Sequence, residues 1–196
     1  MQPNPRKTSS IRRLGFIDIG PLRSAVQAIP EDIWNVENAN KPNRFDALDS
    51  TRHIVFRFVS HFDDWRISYD RPLWKNWKYL FEPVLNAAVV EYGYQSGVFP
   101  RVMLARMAAG GVIQPHRDAN PAAKWPHKIH VPLLTNDKVK FRIEGIDYQI
   151  AEGEVAELNN MGVHAVENLG SSERIHLIFE YYDANQPDPD WLTPVR

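Results

Sequence analysis

A histidine and an aspartate stand two residues apart in the segment Gln-Pro-His-Arg-Asp at 114–118. In an extended chain, residues i and i+2 project to the same face, so His116 and Asp118 could reach one metal ion together. The pair alone is weak evidence, because a His-x-Asp pair arises readily by chance in a chain with seven histidines, and many such pairs are surface polar residues. A third ligand is needed.

His164 is the candidate for that third ligand, because it opens another predicted strand further along the chain. Strands that are distant in sequence converge on the interior of a small barrel. Two histidines and one carboxylate with open coordination positions are typical of non-haem Fe(II) oxygenases. The chain contains no cysteine, so any metal must be bound by histidine and carboxylate. These residues therefore predict an Fe(II) site.

Arg174 begins an otherwise apolar predicted strand, on the same predicted face as His176. A charge that points into a core is costly unless it pairs with an anion. The guanidinium group binds a carboxylate through two parallel hydrogen bonds, so a dicarboxylate cosubstrate would be a suitable partner. The alternative is an arginine at the barrel rim, paired with Glu154 or Glu157.

With these residues in place, the chain resembles the aspartyl/asparaginyl β-hydroxylase-like family of Fe(II)/2-oxoglutarate-dependent oxygenases, which includes bacterial L-proline cis-hydroxylases. The resemblance covers residues 101–182, and five ordered matches are more specific than any one of them. The matches are Pro-His-Arg-Asp at 115–118, Lys-Ile-His-Val-Pro-Leu at 128–133, Gly-Glu at 153–154, His-Ala-Val-Glu-Asn at 164–168 and Glu-Arg-Ile-His-Leu-Ile at 173–178.

The resemblance implies a role for each matching residue. His116 and His164 match the metal-binding histidines, and Asp118 falls where the proline-hydroxylase-like members have their carboxylate ligand. Arg174 matches the arginine that binds the distal carboxylate of 2-oxoglutarate. The implied cofactors are Fe(II), 2-oxoglutarate as cosubstrate, and O2. The implied reaction hydroxylates an aliphatic C–H bond and converts 2-oxoglutarate and O2 to succinate and CO2.

Three further residues are implied to bind the cosubstrate. Lys128 and His130 fall on an Arg-x-His pair of the peptidyl enzymes, and Arg106 matches an arginine before the first metal-binding strand. Lysine at position 128 departs from the family pattern, because a point charge cannot reproduce the planar fork of a guanidinium group.

The predicted fold class is mainly β, a double-stranded β-helix or cupin-like jelly roll with flanking N-terminal helices and strands. After residue 99 the chain reads as short strands separated by turns, including a hairpin of 139–143 and 146–150 around Glu144-Gly145. The other strands of this half are predicted at 101–107, 112–116, 128–134, 155–158, 164–168 and 174–182.

The N-terminal half is predicted to contain both helices and strands. Apolar residues recur with helical spacing over 80–92, and Gly93 follows as a C-terminal cap. Strands are predicted at 14–19 and 53–59, and a short helix at 22–29. We predict a single oxygenase domain over residues 1–196, made of an N-terminal tail at 1–13, a flanking region at 14–99, a β-helix core at 100–182 and a C-terminal tail at 183–196.

Composition restricts the partners. The 23 basic and 24 acidic residues give a net charge of -1, so we expect neither nucleic acid nor an anionic membrane as a partner. The chain shows no apolar run long enough to cross a membrane and no secretory signal, which predicts a soluble cytoplasmic protein. The expected partner is a small-molecule or peptide substrate.

The sequence leaves three substrate classes open, which are a free amino acid, a small peptide, and peptidyl Asp or Asn. By charge and size alone, the pocket mouth could draw its carboxylate-binding groups from Arg52, His53, Arg66 and Arg71, its walls from Trp74 or Trp77, and a covering residue from Trp125. The roles of these residues and of His176 stay open.

Two rival functions remain. A non-catalytic cupin-like binder of metal or small molecules would need a histidine at position 118, and a zinc hydrolase would give no reason for Arg174.

Overall fold

The structure is a computed structural model, and it describes residues 7–118 and 120–187. Two antiparallel sheets are formed by twelve strands of this part of the chain. The strands of the larger sheet are β1 (Ile11–Phe16), β2 (Thr51–Val59), β3 (Ser68–Asp70), β4 (Gly97–Val98), β5 (Val102–Met107), β7 (His127–Leu134), β10 (Glu154–Leu158) and β12 (Arg174–Asp183). The strands of the smaller sheet are β6 (Val112–His116), β8 (Val139–Ile143), β9 (Ile146–Tyr148) and β11 (His164–Asn168).

The order of strands confirms the predicted jelly roll. The larger sheet runs β1-β10-β7-β12-β5-β2-β3, with β4 also paired to β12, and the smaller sheet runs β6-β11-β8-β9. Neighbouring strands are mostly distant in sequence, so the hydrogen bonds of the larger sheet bring together segments from both halves of the chain. This topology carries residues of β6, β7, β11 and β12 to one interior.

Helices cover the outer face of the larger sheet. They are α1 (Gly20–Gln27), α2 (Glu31–Ala39) and α3 (Trp74–Ala88). The short helix α4 (Pro121–Lys124) lies on the opposite side of the sheet, where Ala122 packs with Val55 and Met103. Residues such as Leu22, Trp34 and Phe81 are buried against the sheet, which contributes Phe56 and Leu177 to the same core. Because helices pack on one face and the smaller sheet faces the other, β12 is buried along nearly its whole length.

The predicted helix at 80–92 is confirmed in its centre, but its bounds differ. The helix α3 begins earlier, at Trp74, and a 3-10 turn over Val90–Tyr92 follows it. Gly93 ends that turn with φ 63°, the left-handed conformation that favours glycine. The helix α2 is missing from the predictions because Trp34 is its one buried residue, which leaves little apolar periodicity.

Most predicted strands are present. The predicted bounds 112–116 and 164–168 are those of β6 and β11, and the predicted hairpin is formed by β8 and β9. Its turn residues Glu144 and Gly145 have φ values of 48° and 82°, as in the tight turns that join adjacent antiparallel strands.

The structure corrects the predicted bounds of the N-terminal tail. The strand β1 begins at Ile11, inside the segment predicted to be an N-terminal tail, and it pairs with β10. Of the predicted C-terminal tail, residues 188–196 lie outside the described part of the chain. Among the described helices, none has the length and apolar character that a membrane span requires.

Candidate active site

His116, Asp118 and His164 lie together at the edge of the smaller sheet. The pairing of β6 with β11 sets His116 directly opposite His164, and their ring centroids are 4.3 Å apart. Asp118 Oδ1 lies 3.8 Å from His116 Nε2 and 4.0 Å from His164 Nε2. One ligand atom from each residue falls within 4.8 Å of the others, so all three can bind one ion.

Backbone carbonyl groups orient both imidazole rings. His116 Nδ1 lies 2.8 Å from the carbonyl oxygen of Gln114, and His164 Nδ1 lies 3.0 Å from that of Gly162. A carbonyl oxygen only accepts, so each Nδ1 carries a hydrogen, and Nε2 is the atom of each ring whose lone pair can bind a metal ion. Both lone pairs therefore belong to the nitrogen atoms nearest Asp118 Oδ1.

The carboxylate of Asp118 is held through its other oxygen. Its Oδ2 lies 3.2 Å from Lys128 Nζ and 3.2 Å from Asn160 Nδ2. Burial would raise the pKa of Asp118, but the combined effect of Lys128, His164, His116 and the hydrogen bond from Asn160 outweighs burial and holds this pKa well below its usual range. Asp118 is therefore ionised, with Oδ1 facing the histidines.

Arg174 is buried without an anionic partner. Its side chain is 1% exposed, and Nε and Nη1 have no hydrogen-bond acceptor among the described residues. The guanidinium group lies over the ring of Phe141, 5.4 Å from its centroid, and burial lowers the pKa of Arg174 to about 10. A buried cation without a partner is costly, so the position fits an anionic ligand.

The alternative pairing of Arg174 at the barrel rim is wrong. Glu154 pairs with Arg13, and Glu157 accepts hydrogen bonds from Tyr92 and lies 2.8 Å from His127 Nδ1. Both carboxylates are therefore occupied by other partners.

Two histidines accompany Arg174 in the same interior. His130 lies on β7 and His176 on β12, and both rings pack against Phe141. His130 Nδ1 and both ring nitrogen atoms of His176 are buried without a partner in the described chain. Burial keeps the pKa of each ring well below its usual value, so both imidazoles are neutral.

One cavity is lined by the three candidate metal ligands, by Arg174 and by His130. The donor set of two imidazoles and a carboxylate fits Fe(II), and the buried guanidinium group fits a carboxylate of 2-oxoglutarate. The residues that line it include His116, Asp118, His164, Arg174, His130, Lys128, His53, Arg101, Asn43, Asn120, Phe45, Phe58, Phe62 and Met103.

Arg106 does not reach this cavity, so its predicted contact with cosubstrate is wrong. Its neighbours Met103 and Ala105 face the cavity, and the alternation of β5 turns Arg106 to the opposite, helix-covered face. There Arg106 Nε lies 2.5 Å from Glu173, Nη1 pairs with Glu31, and the guanidinium group lies over the Trp34 ring.

Most residues proposed for the pocket mouth also lie elsewhere. Arg52 pairs with Glu31, Arg71 with Glu37 and Arg66 with Asp64, while Trp74 and Trp77 pack around Phe81 in the core under the helices. His53, in contrast, lines the cavity. Trp125 stacks on Trp65 with ring centroids 5.9 Å apart, outside the cavity.

The sequence did not predict an ion pair that lies in and beside the cavity. Arg101 Nη1 donates to both carboxylate oxygens of Glu180 at 2.7 Å, and this ion pair is almost fully buried. Lys128 Nζ lies 3.5 Å from Glu180 Oε1 and so links the pair to Asp118. The signal that could have found Glu180 is its charge inside the long apolar strand β12, where burial requires a partner.

Comparisons with known proteins agree with this geometry. The family described as "Aspartyl/Asparaginyl beta-hydroxylase" matches residues 82–184. No curated protein sequence matches the chain. Similar solved structures include a 2OG-Fe(II) oxygenase family oxidoreductase from Burkholderia pseudomallei, with 14% identity, 90% of this chain and 92% of that chain covered, and a TM-score of 0.52.

Two structures from Streptomyces have similar folds. HygX from Streptomyces hygroscopicus, with nickel and 2-oxoglutarate bound, has 12% identity and a TM-score of 0.55 over 91% of this chain and 84% of that one. AviO1 from Streptomyces viridochromogenes has 12% identity and a TM-score of 0.56 over 91% and 92%. At this identity the likeness shows the jelly-roll fold. The family match covers more than half of the sequence, and the chain therefore belongs to the aspartyl/asparaginyl β-hydroxylase family of Fe(II)/2-oxoglutarate-dependent oxygenases.

Proposed function

We propose that this enzyme hydroxylates an aliphatic C–H bond of a free amino acid, a small peptide, or a peptidyl Asp or Asn. Succinate and CO2 would form from 2-oxoglutarate and O2 in the same reaction. One observation carries the proposal: the buried, unpaired guanidinium group of Arg174 lines the same cavity as His116, Asp118 and His164. A metal-binding protein without a dicarboxylate cosubstrate would give no reason to bury that charge.

The residues divide the work between two ligands. His116, Asp118 and His164 would hold Fe(II), and Arg174 would pair with a carboxylate of 2-oxoglutarate, with His130 as a further hydrogen-bonding group. Iron and cosubstrate supply the oxidation of the C–H bond by O2. The protein supplies position: backbone carbonyl groups orient both imidazoles, and the buried side chains of Phe58 and Met103 form part of the apolar wall of the cavity.

The cavity lining supports a substrate with a small aliphatic body and polar groups. Phe45, Phe58 and Phe62 form edge-to-face pairs with centroids 5.9 Å apart and line the cavity with Asn43 and Asn120. Aromatic rings suit an aliphatic chain, and amide groups suit the polar ends of an amino acid or peptide. We propose that the chain acts on such a substrate as a single oxygenase domain.

The test begins with anaerobic addition of Fe(II) and then 2-oxoglutarate to the full chain. We expect the weak visible charge-transfer band of the chelate. O2 is then admitted, and the succinate formed is measured in the presence of each member of a panel of free amino acids and short peptides. A band together with succinate that rises with one substrate supports the proposal and names its class, whereas bound metal with neither band nor succinate would refute it.

A further inference from the structure

Two residues outside the metal-binding motif are arranged to hold Asp118 in place. We propose that Asn160 and Lys7 are positioning residues for this carboxylate: Asn160 holds Oδ2, and Lys7 fixes the amide group of Asn160 so that Oδ1 is left for the metal. The inference rests on the proposed function in one respect, that His116, Asp118 and His164 bind a metal ion.

Asn160 holds Asp118 at two points. The carbonyl oxygen of Asn160 accepts from the backbone N–H of Asp118 at 2.9 Å, and Asn160 Nδ2 donates to Asp118 Oδ2 at 3.2 Å. The same amide also donates to the carbonyl oxygen of Ala123 at 3.0 Å. Asn160 is only 2% exposed, so water does not compete for these hydrogen bonds.

Lys7 determines which end of the Asn160 amide faces Asp118. Lys7 Nζ donates to Asn160 Oδ1 at 2.7 Å, to the carbonyl oxygen of Ala123 at 3.2 Å and to that of Pro126. These three acceptors use all three hydrogens of an ammonium group. An ammonium group cannot accept, so it selects the amide oxygen of Asn160 and turns Nδ2 towards the carboxylate.

Lys128 completes the arrangement from the other side. Its Nζ contacts Asp118 Oδ2 at 3.2 Å and Glu180 Oε1 at 3.5 Å, and Glu180 is itself held by Arg101. We therefore assign Lys128 to the metal-binding carboxylate rather than to the cosubstrate. With Oδ2 occupied by two donors, Asp118 presents a single oxygen, Oδ1, to the ion.

The sign of the change in metal affinity distinguishes a positioning role for Lys7 from a purely electrostatic one. Lys7 is cationic at pH 7, because burial lowers its pKa only to about 8. Removing a cation from the neighbourhood of a metal site would by itself tighten the binding of a divalent ion. Removing a group that orients a ligand weakens the binding, by about 10- to 100-fold for outer partners of metal ligands. The two readings therefore predict opposite signs for Lys7→Met.

The experiment measures the affinity of the full chain for Mn²⁺ alone, from the electron paramagnetic resonance signal of the free ion. Asn160→Ala, which changes no charge, should raise the Kd about tenfold. Lys7→Met should raise it by about threefold, less than the loss of the direct donor. Two exposed residues provide matched controls, Asn185→Ala and Lys138→Met, and both should leave the Kd unchanged.

The double variant tests whether Lys7 acts through Asn160. If it does, Lys7→Met adds nothing to Asn160→Ala, whereas an independent structural role would add its own loss. An unchanged or lower Kd in Asn160→Ala would overturn the proposal; if that variant does not fold, an unchanged or lower Kd in Lys7→Met would do so. Because no 2-oxoglutarate is present, a protein that binds Mn²⁺ as expected but forms no succinate would refute the proposed function and leave this inference standing.

Discussion

The two ends of the cavity are built in opposite ways. At the metal-binding end, His116 and His164 bond to backbone carbonyl groups and Asp118 to two donors, so the atoms that remain free are those facing one another. At the other end, Arg174 and His130 carry buried nitrogen atoms that no described residue satisfies.

This difference indicates which kind of ligand each end of the cavity can bind. A carboxylate flanked by two lone pairs presents acceptors, and acceptors bind a cation. An unpaired guanidinium group with neutral imidazoles beside it presents donors, and donors bind an anion with several oxygen atoms. The protein thus tolerates unsatisfied polar atoms where a cosubstrate carboxylate would satisfy them, and among the described residues Nε and Nη1 of Arg174 have no hydrogen-bond partner.

The largest effect is expected from removing a metal ligand. His164→Ala should lower 2-oxoglutarate turnover by well over a hundredfold, since loss of even an outer partner of a metal ligand costs up to about that much. The melting temperature of the metal-free protein should change little, because His164 lies at the cavity edge and not in the apolar core. Succinate formation and thermal unfolding measure the two quantities. Turnover close to the wild-type value would mean that the triad is not the metal site.

Arg174→Met is expected to act at the opposite end. A charged hydrogen bond to the cosubstrate contributes about 3 kcal/mol, so the KM for 2-oxoglutarate should rise by roughly a hundredfold. The stability of the protein without cosubstrate should be unchanged or higher, because an unpaired buried charge is removed. Arg142→Met, at an exposed position paired with Asp147, provides the control. A lower melting temperature with an unchanged KM would show that Arg174 is structural.

The stability of the folded protein should also depend on pH through His176, whose ring packs against the cavity residue Phe141. Burial keeps the pKa of His176 well below 6.5 in the folded protein, whereas the unfolded chain takes up a proton near pH 6.5. The contribution of His176 is therefore fully present above pH 6.5 and is lost as the pH falls, by about 2 kcal/mol at pH 5.

The variant His176→Leu isolates that contribution. It should reduce the fall in melting temperature between pH 7.5 and pH 5 by about 4–8 °C. His61→Gln, at an exposed position, should leave the pH dependence as it is in the wild type. If His176→Leu loses stability with acid as steeply as the wild type, the acid sensitivity arises from other groups.

The sequence predicted the triad and Arg174 from local signals taken together with the ordered motifs of the family resemblance. His116 and Asp118 share a face of one extended segment, and His164 and Arg174 open strands whose bounds the apolar pattern marks. The partners that orient Asp118 gave no such signal. Lys7 and Asn160 are separated by 153 positions, and their contact depends on the packing of the finished fold.

The burial of both faces of the larger sheet explains the wrong prediction for Arg106. When both faces of a strand are buried, polar and apolar residues no longer alternate, so the sequence does not show which way a given side chain points. Five of the six residues of β5 are buried, and Arg106 is the half-buried one. The inner and outer faces of this strand could be assigned only from its neighbours in the structure.

The smallest effect is therefore expected from Arg106→Met, which tests that assignment. Arg106 pairs with Glu31 and Glu173, both more than one-third exposed, so its loss should cost at most about 1 kcal/mol of stability. The KM for 2-oxoglutarate and the Kd for Mn²⁺ should equal the wild-type values, because the side chain lies on the face away from the cavity. A KM raised as far as in Arg174→Met would place Arg106 among the cosubstrate-binding residues and would make the comparison between the two ends of the cavity incomplete. Equal values, with a slightly lower melting temperature, would confirm that Arg106 takes no part in binding the cosubstrate or the metal ion.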